Sequence, residues 1–361
     1  MADRFARVTG NWADTSTWSA TAGGSVGASV PGSSDSAIIN VANKDGGEGA
    51  LTITLTGDVE VDGLQLYGTS GNDATLHTAS EHTVTINDYG ISGYSAKIHG
   101  YTEITGDINL IFTRAGSHTI IIYSPVQTNK VNDITINHAS NVLLSGSVVS
   151  IKGDLTVTAG TYTTNTVADG SGTTYDLTVA GDVSIADGAT LTGNTSAIEF
   201  GSLTIADGGT YNATSGTTTI TDDDKGPESR CLHVHTDGNF NHNNGLMKFT
   251  NPSIPEIEVV GGSLTNNPFY DVEISGGKVY WAANPYILNN CKIKGVQFAG
   301  PSGFMHVEGI CENSANDYNE SDSSTSANHY FGTFVLSGGK LLTTAMEMTV
   351  GSLRNTGGTI E

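Results

Sequence analysis

The segment Gly181-Asp182-Val183-Ser184-Ile185-Ala186-Asp187-Gly188-Ala189-Thr190-Leu191 recurs twenty residues later as Gly201-Ser202-Leu203-Thr204-Ile205-Ala206-Asp207-Gly208-Gly209-Thr210-Tyr211, identical at six of eleven positions. A shorter copy stands at Gly153-Asp154-Leu155-Thr156-Val157-Thr158-Ala159-Gly160-Thr161-Tyr162. A fixed period near twenty residues, made of short alternating runs and Gly turns, marks a solenoid. One coil of two or three strands cannot bury its inward side chains alone. Stacking the next coil on it closes a narrow apolar channel and pairs the backbone in parallel ladders. The repeat therefore predicts an all-β chain, a parallel right-handed β-helix, with Gly181, Asp187, Gly188, Gly201, Asp207 and Gly208 at its repeat turns. An antiparallel sandwich also alternates, but has no reason to copy one segment in tandem.

The rest of the chain follows the same pattern. Leu51-Thr52-Ile53-Thr54-Leu55, Thr83-Val84-Thr85-Ile86, Ile134-Thr135-Ile136-Asn137 and Leu155-Thr156-Val157-Thr158 alternate apolar residues with Thr or Asn, the mark of a half-buried strand. Gly-Asp-apolar steps recur at Gly57, Gly106 and Gly153, and Gly-Gly-x-apolar steps at Gly261, Gly276, Gly338 and Gly357. Helix should be scarce. Only 37% of the residues are hydrophobic, which suits a narrow core, and 46 glycines suit frequent corners. At ~20–25 residues per coil, the chain after residue 50 makes about a dozen coils. The organisation expected is a Trp-bearing segment over residues 1–45, regular repeats over 46–230, and loop-decorated coils over 231–361 that are richer in aromatics and end uncapped.

The formal charge of −22 argues against nucleic acid and anionic membrane surfaces as partners. No run reaches the ~20 apolar residues of a membrane-spanning helix, so no membrane insertion is expected. Three cysteines, Cys231, Cys291 and Cys311, are not a disulfide framework. They read as reduced and mostly buried thiols, with Cys291–Cys311 as the one guess at a bridge. No apolar stretch follows Met1-Ala2-Asp3-Arg4, so no secretory signal is expected there.

The first forty residues carry two of the three tryptophans, in Asn11-Trp12 and Trp18-Ser19, followed by Val30-Pro31, Asp35 and Ile38. This order resembles the opening that precedes β-helical repeats in structural proteins of tailed phages and in autotransporter-like bacterial adhesins. The resemblance covers about the first forty residues, and the later repeats are similar in style. It implies that Trp12, Trp18, Pro31 and Asp35 build a cap over the first coil. It also implies a virion component: a tail fibre, spike or capsid-attached fibre, commonly trimeric. Such a protein is a non-enzymatic, rigid display shaft used in host attachment. It would contact other virion proteins through its N-terminal segment and host-surface glycan elsewhere. Alternatives are a polysaccharide-degrading β-helix enzyme and an adhesin fragment on a bacterial surface.

Three groups of side chains are candidate sites. Cys231, His233 and His235 alternate along one expected strand, opposite Leu232 and Val234, with His242 nearby. Thiolate and imidazole suit a divalent transition metal. The commoner reading of such a face is plain surface or subunit interface, so no cofactor is expected. Asp222-Asp223-Asp224, and the acidic stretch with Glu312, Asp317, Glu320 and Asp322, lack calcium-loop spacing and read as solvated loops. Asp187 and Asp207 stand one coil apart, close to the ~5–9.5 Å carboxylate spacing of glycoside hydrolysis. Their Asp-Gly turn context makes them structural.

Overall fold

The computed structural model describes residues 2–87, 96–113, 118–123, 131–146, 149–164, 176–221, 230–250, 256–259, 268–275, 278–281, 285–294, 297–299, 305–314, 317–318, 327–338, 340–341 and 346–360. Strands dominate, and the described helix amounts to two single 3-10 turns, Thr15–Thr17 and Val41–Asn43. The chain forms two compact units, Met1–Ala180 and Gly181–Glu361. Nearly all the described pairings are parallel, so the all-β parallel solenoid read from the repeat is the observed architecture.

In the first unit the strands stack as three ladders. Asp35–Asn40, Gly63–Gly68, Ala96–Gly100 and His118–Tyr123 follow one another in parallel register. Leu51–Leu55, Ala74–Thr78 and Thr102–Thr105 form the second ladder. The third runs from Val59–Val61 through His82–Ile86 and Ile108–Phe112 to Ile134–Gly146. The alternating segments of the sequence are all strands. In Leu51–Leu55 the apolar side chains are buried and the threonines half-exposed.

The N-terminal segment joins these ladders directly. Ala2–Ala6 pairs in parallel with Asp35–Asn40 and antiparallel with Trp18–Ser19, while Gly10–Asn11 lies against Leu51–Leu55. The two indoles meet edge to face, with centroids 5.1 Å apart, and Trp18 Nε1 donates to the Trp12 carbonyl at 2.8 Å. A buried indole keeps its N–H satisfied best when it finds such a partner. Pro31 is buried, and Asp35 opens its strand with a 3.7 Å ion pair to Arg4. Arg7 is also buried. It donates to the Asn43 carbonyl and lies 3.4 Å from Asp45.

The second unit has three faces per coil. The tandem copies stack as the repeat requires: Thr190 lies opposite Thr210, Leu191 opposite Tyr211, and Thr192 opposite Asn212. Gly188 and Gly208 take φ of +71° and +74° at the turn. Gly181 and Gly201 do not sit at turns. Each lies inside a continuous strand, Leu177–Ile185 or Ile198–Ile205. The latter strand pairs through residues 198–200 with one neighbour and through 203–205 with another, so the chain passes from face to face without leaving strand conformation.

Inward positions repeat from coil to coil. One column runs Leu191, Tyr211, Phe240, Phe269, Ile287, Val307 and Phe331, all buried. Its rings touch, at 6.0 Å for Tyr211–Phe240 and 5.2 Å for Phe240–Phe269. The buried Tyr211 hydroxyl is paired with Thr218 Oγ1 at 2.8 Å. Another column runs Met247, Val272, Cys291, Cys311 and Phe334, again buried. Its next member, Leu353, is 52% exposed. The polar stretch expected as one loop after Glu312 is interrupted. Glu312 belongs to the strand His306–Asn313, Asp317–Tyr318 pairs on both sides, and Ala327–Leu336 is strand again. Glu320 and Asp322 lie outside the described residues, as do Asp222-Asp223-Asp224.

Candidate functional site

The groups singled out in the sequence fall at different places. Leu232 and Val234 point inward and are fully buried, as the alternation predicts. His233, on the other side of its strand, is only 4% exposed, so it is no solvent face. Its ring lies 4.1 Å from that of His235. Cys231 is fully buried. His242 stacks on Tyr270 at 5.6 Å and 16°, and burial pushes its imidazole below the usual range. Among the described residues no three His, Cys, Asp or Glu side chains converge closely enough to hold a metal ion.

Asp187 and Asp207 occupy corners. Asp207 Oδ1 accepts the backbone N–H of Asp237, one coil on, at 3.0 Å. The same device recurs where Asp58 accepts from Thr83 N, Asp133 from Asp154 N, and Asp271 from Asn290 N. A corner leaves backbone donors without ladder partners, and a short acidic side chain one coil below supplies the acceptor.

The outward face of the second unit offers a surface that no motif announced. Tyr286, His306 and Tyr330 hold the same register position on three successive coils. Their inward neighbours Ile287, Val307 and Phe331 are fully buried and anchor the strands. Tyr286 and His306 meet edge to face at 4.6 Å. His306 and Tyr330 stack at 4.4 Å and 30°. Burial lowers the His306 imidazole, an effect that the Glu308 charge partly opposes. The Tyr286 hydroxyl donates to Glu308, which raises the phenol above its ordinary range. Tyr330 is 40% exposed and closes the column.

Glycines set this column's distance from the next corner. A methyl group on Gly309 would lie 2.1 Å from the Asn289 carbonyl oxygen, and one on Gly332 would lie 2.0 Å from that of Glu308. The coils can close here only without a Cβ. The column thus presents ring edges, a phenol, an imidazole and a carboxylate, spaced by the coil repeat of ~4.8 Å. Such a strip can hydrogen-bond and stack on a ligand that extends along the coils.

The first unit carries the same residue order in register: Tyr67, His99 and Tyr123 on three successive coils. In sequence both triplets are scattered over about fifty residues. Only the coil register, with its changing period, brings them together. Next to the second triplet runs a charge column, Lys248, Glu273, Lys292 and Glu312, alternating in sign. Burial pushes the Glu273 carboxyl up. The hydrogen bond from Lys294 at 2.9 Å, with the charges of Lys294 and Lys248, outweighs this and holds it below the usual range. A search of known families, curated proteins and solved structures finds no match to this chain.

Proposed function

We propose that this chain is a non-enzymatic structural protein of a tailed-phage virion, a rigid display shaft of the tail-fibre, spike or capsid-attached kind. In this reading the coils wind right-handed, the Trp12–Trp18 segment caps the first coil and attaches to other virion proteins, and the mature assembly is a trimer. The observation that carries it is the in-register stack. Inside each unit, coil follows coil with matched inward columns, and outward positions are given largely to Thr and Asn, with a column of alternating charge in the second unit. The order Asn11-Trp12, Trp18-Ser19, Val30-Pro31 and Asp35, resembling phage β-helix openings, supports the virion assignment. The Tyr286–His306–Tyr330 column is the surface offered to host glycan.

The test is mass spectrometry of purified particles from the organism that encodes the chain. The proposal expects the protein in particles, at a copy number that fits a symmetric appendage. Its absence from every particle preparation, with presence in a cell-envelope fraction, overturns it.

A further inference from the structure

Cys291 and Cys311 occupy one register position on neighbouring parallel strands, twenty residues apart. Both side chains are inward and fully buried, with Val272 before them and Phe334 after them in the same column. The Cys311 thiol is hydrogen-bonded to Cys291, and that contact together with burial pushes it far above its ordinary range. In-register parallel strands lie ~4.8 Å apart, within the ~4.4–6.8 Å Cα separation that a disulfide spans. The third cysteine, Cys231, is buried beside the strand Leu232–Val234, on another face of the coil. Register therefore favours one pairing of the three that three cysteines allow.

We propose that Cys291 and Cys311 are the two halves of a coil-to-coil disulfide, closed by exchange with a small-molecule disulfide such as oxidised glutathione. One cysteine thiolate attacks the oxidant, forming a mixed disulfide and releasing one small thiol. The second thiolate attacks the cysteine sulfur of that mixed disulfide, and the second small thiol leaves. Two protons and two electrons leave the pair, and the oxidant takes up both electrons. Only a thiolate attacks, and neither sulfur is accessible once the coil carrying Phe334 is in place. The exchange therefore belongs to folding, before that coil seals the column. The bridge closes one full coil and fixes the register of Cys291–Ile293 against residues 311–313. In a reducing compartment the same pair stays as the two contacting thiols described above.

The experiment is to refold the full chain in a glutathione redox buffer, quench it with acid, alkylate under denaturing conditions and map the peptides. Protein folded during expression in an oxidising host compartment is mapped in parallel, so that the result does not rest on refolding yield. The expected result is one alkylated cysteine, Cys231, and a linked peptide pair containing Cys291 and Cys311. Cys231→Ser keeps that link, and Cys291→Ser abolishes it. Adding reductant lowers the melting temperature of the bridged wild type by several degrees and leaves that of Cys291→Ser unchanged. Three alkylated cysteines, a link through Cys231, or glutathione adducts without the internal bridge would overturn the proposal.

Discussion

Gly188 lies at a turn and Gly332 inside the strand Ala327–Leu336, and space uses the two glycines differently. Gly188 takes φ +71° with nothing near its absent side chain, so only backbone conformation demands glycine there. Gly332 has the Glu308 carbonyl where a methyl group would stand. Gly188→Ala should cost about 1 kcal/mol, the strain of a left-handed L-residue. Gly332→Ala should cost more, toward the upper end of the ~1–3 kcal/mol of overpacking, because a backbone carbonyl cannot swing aside. Urea unfolding of the two variants checks the order, and equal losses would contradict it. The repeat identified Gly188 and Gly208 as turn residues, since Asp-Gly is turn chemistry wherever it occurs. It also suggested Gly181 and Gly201, which lie within strands. Copying shows that a position is constrained, without showing whether a turn or a close approach constrains it.

The element that organises the fold is the corner between strands, where one coil's short polar side chain accepts the next coil's backbone N–H. Asp133 shows its cost. It accepts from Asp154 N at 2.8 Å. Burial pushes its carboxyl above the usual range, and the charges of Asp154, Glu81 and Asp107 add to that, against the hydrogen bond. A raised carboxyl favours its protonated form in the folded state. Its ionised form therefore weighs against folding once pH rises above the ordinary value of 3.8. Asp133→Asn keeps a carbonyl acceptor for Asp154 N and removes the charge. It should raise the urea midpoint at pH 7, with the gain shrinking as pH falls toward 3.8. A gain independent of pH would contradict this origin. The strands themselves were legible in the sequence because Thr alternation is periodic over four or five residues. The Tyr286–His306–Tyr330 column was not. Its members are separated by 20 and then 24 residues, so no single period connects them.

At the scale of the whole molecule, 37 acidic against 15 basic residues leave a formal charge of −22, a long-range field that favours solubility. No described helix is long and apolar enough to cross a membrane. If the aromatic column receives host glycan, the glycan is neutral or bears amino groups, since Glu308 stands beside the rings. Tyr330→Ala should weaken binding of such a polysaccharide at least tenfold, while Tyr101→Ala, at another exposed tyrosine, leaves it unchanged. Titration of both variants with the purified polysaccharide reads this directly, and equal affinities would remove the column from the proposal. The whole fold rests on the tandem copies lying on adjacent coils. The most direct measurement is an experimental density map, by crystallography or electron microscopy, resolving residues 181–212. It should show Thr190, Leu191 and Thr192 beside Thr210, Tyr211 and Asn212, running the same way at ~4.8 Å. Antiparallel pairing of these segments, or their separation by another strand, would contradict the account.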